Sequence, residues 1–158
     1  MKKLFILGFM FVLPFLTGCT ANVVGKFNDY NEIFLGTIDL DLKGHGIIQV
    51  KTEPNNISCK GNGWLTYIPH SSTCKGQQGK AELICDDGRT FDGNWICEAC
   101  TRINGEGKTN YNEKITFYIA TNKKKIMKKE EEYRKDVAYK PSLSNQKIFN
   151  VKNLEDLF

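Results

Sequence analysis

The sequence predicts a mainly β protein: a small antiparallel meander or sandwich, stapled by disulfides, with a short helix towards its C-terminus. Three observations carry this. Apolar residues recur at every second position in several segments between Ile33 and Ala120, the period of a strand with one buried face. Clusters of Gly, Asn and Asp separate those segments, as turns require. Five cysteines lie between Cys59 and Cys100, in a chain whose start reads as an export signal. In that setting cysteines are read first as bridges.

The elements follow from the N-terminus. Met1-Lys2-Lys3 is a charged start, Leu4 to Leu16 is an apolar run, and Thr17-Gly18 are small. Together these describe a signal peptide over residues 1–18. The run is shorter than the ~20 residues of a spanning helix, and Pro14 disfavours a helix there. Residues 19–30 read as a lead-in to a β domain over 31–121. Phe34, Gly36, Ile38, Leu40 and Leu42 share one face, against Thr37, Asp39 and Asp41. Lys43-Gly44-His45-Gly46 turns the chain, and Ile48 and Val50 alternate with Gln49 and Lys51 in a returning strand. Pro54-Asn55-Asn56 is a further turn.

Lys80 to Cys97 is the clearest hairpin. Ala81, Leu83 and Cys85 oppose Glu82, Ile84 and Asp86, and Phe91, Gly93 and Trp95 line one face of the return. Asp87-Gly88 between them is the favoured pair for a two-residue turn. Asn104-Gly105 marks another turn, and Ile115, Phe117 and Ile119 alternate in a last strand. Residues 122–158 differ in character. The lysine-rich stretch 123–129 runs into Glu130-Glu131-Glu132, and Glu130 with Arg134 and Glu131 with Lys135 are spaced as ion pairs on a helix. A short exposed helix is expected there, then a linker at Pro141–Asn145. A terminal apolar segment follows, formed by Ile148, Phe149, Val151, Leu154, Leu157 and Phe158.

Length and charge bound the function. The 158 residues suit one domain. The formal charge is +4, and removing Lys2 and Lys3 with the leader (4 − 2) leaves +2. That is not the clustered basic face of a nucleic-acid binder. The lysine run is blunted by the adjoining glutamates and reads as a solvated helix face.

The cysteines follow an internal repeat. Residues 57–82 align without gaps on 83–108, placing Cys59 on Cys85, Cys74 on Cys100 and Gly79 on Gly105. Two like β units, each closed by its own bridge, give Cys59–Cys74 and Cys85–Cys100 as the first choice. The alternative joins the units through Cys59–Cys85 and Cys74–Cys100, and spacing alone does not decide. Cys97 is the odd thiol in both schemes, because Ser71 occupies the equivalent position.

Few residues suggest chemistry. Cys97-Glu98-Ala99-Cys100 has the spacing of a redox dithiol, but it follows a strand and not a helix start, so Cys100 is read as bridged and Cys97 as spare. A zinc site wants four converging ligands; His45 and His70 lie in turns, and no metal or cofactor is expected. His70-Ser71-Ser72 reads as a loop, and no catalytic residue is assigned. Asp86 and Asp87 belong to a hairpin tip, where Arg89 is placed to pair with one of them. Phe91, Trp95 and Trp64 are the aromatics to test for partner contact.

Leu16-Thr17-Gly18-Cys19 resembles the bacterial lipoprotein box. In that family the signal is cut before the cysteine, whose sulfur carries diacylglycerol and whose new amino group is acylated. The resemblance implies Cys19 as the lipidation site and membrane lipid as its partner. Thr20, in place of aspartate, implies the outer membrane, facing the periplasm or the cell surface. Hydrocarbon anchoring contributes ~0.8 kcal/mol per buried carbon, and two chains hold where one is marginal.

Cys59, Cys74-Lys75-Gly76, Cys85-Asp86-Asp87-Gly88-Arg89, Trp95, Cys100 and Gly105-Glu106-Gly107 resemble a class of small envelope lipoproteins, from which Cys97 departs. That resemblance implies envelope residence and no particular chemistry. Phe34-x-Gly36-x-Ile38 before Gly44-x-Gly46, and Phe91-x-Gly93-x-Trp95 before Gly105-x-Gly107, are similar to MORN repeats, hairpin units that stack into a ribbon. The cysteines and a longer gap depart from that family. Together these imply a non-enzymatic, lipid-anchored envelope protein with a structural or binding role, acting on an envelope protein or surface polymer through a sheet face or edge. The alternative is a thiol–disulfide or metal-handling protein using Cys97 and Cys100.

Overall fold

Eight antiparallel strands close into a barrel in sequence order: β1 (Cys19–Phe27), β2 (Ile33–Leu40), β3 (His45–Glu53), β4 (Ser58–Tyr67), β5 (Gln78–Cys85), β6 (Thr90–Ala99), β7 (Arg102–Thr109) and β8 (Lys114–Ala120). Among the described residues one helix, α1 (Lys123–Tyr139), packs outside. The computed structural model describes residues 19–29, 31–41, 44–70 and 73–139. The leader 1–18 with Leu16, Thr17 and Gly18 of the box, the linker Pro141–Asn145 and the apolar segment from Ile148 to Phe158 lie outside the described residues. So do Leu42, Lys43, Ser71 and Ser72.

The β class, the antiparallel pairing, the presence of disulfides and the C-terminal helix are as the sequence predicts; closure is the new feature. It depends on β1, which reads in the sequence as a lead-in. Val23 pairs with Gly36 of β2 on one side and Ile119 of β8 on the other. Its alternation is hidden because Val24, facing outwards, is also buried, beneath α1. β8, which the sequence does show as the last strand, is likewise covered on its outer face, with Phe117, Tyr118, Ile119 and Ala120 all buried. Closure leaves no unpaired strand edge among the described residues, so partner pairing through an edge is removed.

Inward-facing residues explain how so small a barrel closes. The interior holds Phe27, Phe34, Ile38, Ile48, Val50, Leu83, Phe91, Ile115, Phe117 and Ile119, among others. Eight strands leave an interior just wide enough for side chains or one small ligand, so large rings need gaps opposite them. Glycines supply these: a Cβ at Gly105 would lie inside the Phe117 ring, and one at Gly79 would lie against the Trp95 indole. Of the two Phe-x-Gly-x-apolar segments, the one in β6 follows the same rule, since a Cβ at Gly93 would press on the Phe91 ring, while in β2 a Cβ at Gly36 would meet the β3 backbone at Gln49. Asn104-Gly105, expected to turn the chain, is instead within β7, and the turn falls at residues 100–101.

The disulfides are Cys59–Cys85 and Cys74–Cys100, not the first-choice pairing within each repeat. The reason is the meander itself. β4 and β5 are antiparallel neighbours, and Cys59 stands directly opposite Cys85. Cys74, between β4 and β5, and Cys100, between β6 and β7, come from two connections at the same end of the barrel. Each bridge spans 26 positions, and a loop of this size stabilises by roughly 3.5 kcal/mol in the chain-entropy account.

The Asp87-Gly88 hairpin also differs in detail. Gly88 has φ +84° while Asp87 does not enter the left-handed region. Gly88 N donates to Cys85 O and Cys85 N donates to Arg89 O. This is a three-residue loop ending in a left-handed glycine, not a two-residue turn. α1 starts at Asn122, whose Oδ1 accepts from Lys124 N at 2.9 Å, an N-cap. The expected Glu130–Arg134 and Glu131–Lys135 pairs form. The helix is not simply exposed, however. Ile126 and Tyr133 are buried against Val24, Ile33, Tyr118 and Ala120 on the outer wall.

Candidate binding site at the barrel mouth

The two ends of the barrel are chemically different. At one end, residues 28–29 and 31–32 and the loops 54–57, 86–89 and 110–113 gather around a buried arginine. Arg89 Nη1 donates to Glu32 Oε2 at 2.7 Å and Nη2 to Glu32 Oε1 at 3.2 Å, while Nε donates to Asp87 Oδ2 at 2.6 Å. Its guanidinium lies 4.7 Å from the Phe27 ring centre. Burial pulls its pKa down, but the bonds to Glu32 and Asp87 outweigh this and carry it above the ordinary value. The charge is permanently held and fully paired, so this end is a plug. The sequence places Arg89 with Asp86 or Asp87, and the partner is Asp87; it gives no sign of Glu32, because a partner 57 residues away depends on closure.

The opposite end is open and apolar. Ile38, Leu40, Ile48, Ala81, Trp95, Ile103 and Ile119 line a cavity of about 160 Å³. Its rim carries Asp41, Gly44, Leu65, Gln77 and the Cys74–Cys100 bridge. Trp95 Nε1 donates to Lys80 O at 3.1 Å, which satisfies the indole in the wall and leaves its ring beside the cavity. Register shifts occur between Leu65 and Tyr67 of β4 and between Cys97 and Ala99 of β6. Such bulges bend strands at barrel rims. Residues 73–77 are fastened over this edge by Cys74–Cys100 and by a backbone pair: Gly76 N donates to Cys97 O and Cys97 N donates to Gln77 O, both at 2.8 Å.

Cys97 is free and buried, and Cys100 is bonded to Cys74. The Cys97 thiol lines the cavity and donates to Ala99 O at 2.9 Å. Burial pushes it above its ordinary pKa, away from the thiolate that reacts or ligates. His45 Nδ1 lies 3.6 Å from Asp41 Oδ2 at the exposed rim, and His70 is exposed in the fastened loop. Among the described residues, no three His, Cys, Asp or Glu side chains are gathered so as to hold a metal ion. Of the aromatics singled out, Phe91 is core, Trp95 lines the mouth, and Trp64 is half-buried on β4. Cys19 is exposed at the first position of β1, beside Leu40 at the same open end. The cavity-lining Ile103 is not legible in the sequence, since its neighbours Asn104-Gly105 read as a turn.

No protein-family model matches the chain, and no curated protein matches it. Solved structures do, by fold. A redesigned β-barrel, mFAP1, bound to DFHBI, is similar with a TM-score of 0.51 and 13% identity, over 66% of this chain and 94% of that one. A de novo designed fluorescence-activating β-barrel has a TM-score of 0.50 and 10% identity, over 68% and 94%. EF1p2_mFAP2b, bound to DFHBI, has a TM-score of 0.50 and 8% identity, over 68% and 94%. At such identities the likeness is one of fold.

Proposed function

We propose that the chain is a non-enzymatic, lipid-anchored protein of the cell envelope, held in the outer membrane through Cys19, whose barrel takes a small apolar ligand at its mouth. The observation that carries the binding role is the cavity of about 160 Å³ behind Ile38, Leu40, Trp95 and Ile103. Apolar cavities of about 150 Å³ stay dry and bind benzene, while drug-sized ligands want ~300 Å³ or more. The ligand is therefore a single aromatic ring or the end of an aliphatic chain. The DFHBI-bound barrels lend support, because their fold accommodates a small molecule. The lipid anchor rests on the box Leu16-Thr17-Gly18-Cys19 and the exported pattern of cysteines.

The non-enzymatic reading is supported by the disposition of charge: Arg89, Glu32 and Asp87 neutralise one another at the far end. The buried, protonated Cys97 and the bridged Cys100 favour binding over thiol exchange. Titration with benzene or short alkanes, followed through isoleucine methyl resonances, tests the site. Shifts are expected at Ile38, Ile48, Ile103 and Ile119 but not at Ile115 near the plug. Ala81→Phe, which fills the cavity, should abolish them. Saturating ligand without shifts at those methyls would reject the proposal.

A further inference from the structure

We infer that the open end of the barrel is a membrane-docking face, seated directly on the bilayer so that the cavity opens towards lipid. This rests on the lipidation of Cys19 proposed above. Cys19 is the first residue of β1, pairs with Leu40, and is followed by Thr20, whose Oγ1 donates to Asp39 Oδ1 at 2.6 Å. No length of free chain separates the anchored sulfur from the barrel wall. A tether gives reach of ~3.5 Å per extended residue, and here there are no such residues to give it. Acyl chains on Cys19 therefore bring the rim itself to the headgroups.

What the rim presents fits that position. Tyr67 and Ile68, where β4 enters the fastened loop, are 50% and 62% exposed. Ile96 on β6 and Ile47 on β3, near the same end, are 46% and 57% exposed. Exposed apolar groups gathered at one end call for an occupant, and tyrosine suits the boundary between headgroup and hydrocarbon. At the plug end the large exposed apolar residues are Ile84 and Tyr111.

Charge agrees as well. α1 runs from the open end towards the plug, because its later residues Arg134 and Asp136 meet Glu53 and Lys26. Its first turn, at the open end, carries Lys123, Lys124 and Lys125, all exposed, and no acid. Cations there oppose the helix dipole and cost the helix stability, but each basic group near an anionic leaflet contributes ~1 kcal/mol. The acids at this end are Asp39 and Asp41 on the β2–β3 side, engaged by Thr20 and His45, and Glu98 on β6, engaged by the Asn104 side-chain amide, away from α1. The partner surface is thus a bilayer containing anionic phospholipid.

Paramagnetic broadening tests the orientation. The acylated mature protein is placed in nanodiscs of phosphatidylethanolamine and phosphatidylglycerol that carry a headgroup-linked gadolinium chelate. Amides of residues 68, 70, 73–77, 100–101 and 122–125 should lose most of their intensity, while those of 86–89 and 110–113 keep theirs. Tyr67→Asp with Ile68→Asp, still acylated and with an otherwise unchanged spectrum, should relieve the broadening at 70 and 73–77 several-fold. Uniform broadening, or broadening confined to 86–89 and 110–113, would overturn the docking face while leaving the anchor intact. A Cys19 that carries no acyl mass would overturn both.

Discussion

At the residue scale, two buried polar groups carry opposite lessons. Arg89 is a charge sealed inside the plug with its counter-ions. Removing one partner of such a pair strands the other, which costs about 3–5 kcal/mol. Arg89→Ala should therefore destabilise the protein by about that amount in urea unfolding. Arg89→Ala with Glu32→Leu should cost clearly less, because no buried carboxylate is left alone. Equal losses in the two variants would show that packing, not the stranded charge, sets the penalty. Cys97 is a neutral group kept neutral. Its folded pKa is raised by burial, so the unfolded chain gives up the thiol proton first as pH rises. Its contribution is full below the ordinary thiol pKa and is lost as pH climbs through the raised one. Over that alkaline window the decline in stability should be shallower in Cys97→Ala, and native Cys97 should resist alkylation until the protein is unfolded.

At the scale of elements, strands are legible in the sequence wherever one face is wet. β3 and β5 alternate buried and exposed residues without a break, and both are plain in the sequence. β1 is not, because α1 covers its outer face and removes the polar half of the pattern. The bridges are legible as cysteines but not as pairs: pairing depends on which strands are neighbours, and a repeat in sequence does not say so. The helix is placed by its charge spacing, yet its buried side is not, since Ile126 and Tyr133 are too few to look like an apolar stripe. That docking has a measurable consequence. Ile126→Ala should cost about 2 kcal/mol, read from denaturant midpoints. A cost near zero would mean that α1 is solvated.

At the scale of the whole molecule, closure turns a meander into a container. Inward glycines make room for Trp95 and Phe117, a charged plug seals one end, and the apolar mouth lies at the end where β1 begins. The mouth cannot be read from the sequence, because Leu40, Ala81 and Ile103 come from three distant strands and meet only when the barrel closes. The anchor, in contrast, is a local motif, and the proposed biology depends on it. Intact-mass analysis of the protein extracted from the envelope of cells that process lipoproteins tests it most directly. The account predicts a chain that begins at Cys19 and carries the added mass of diacylglycerol and an amide-linked acyl group. A chain beginning at Met1, or one beginning at Cys19 with no added hydrocarbon, would contradict it.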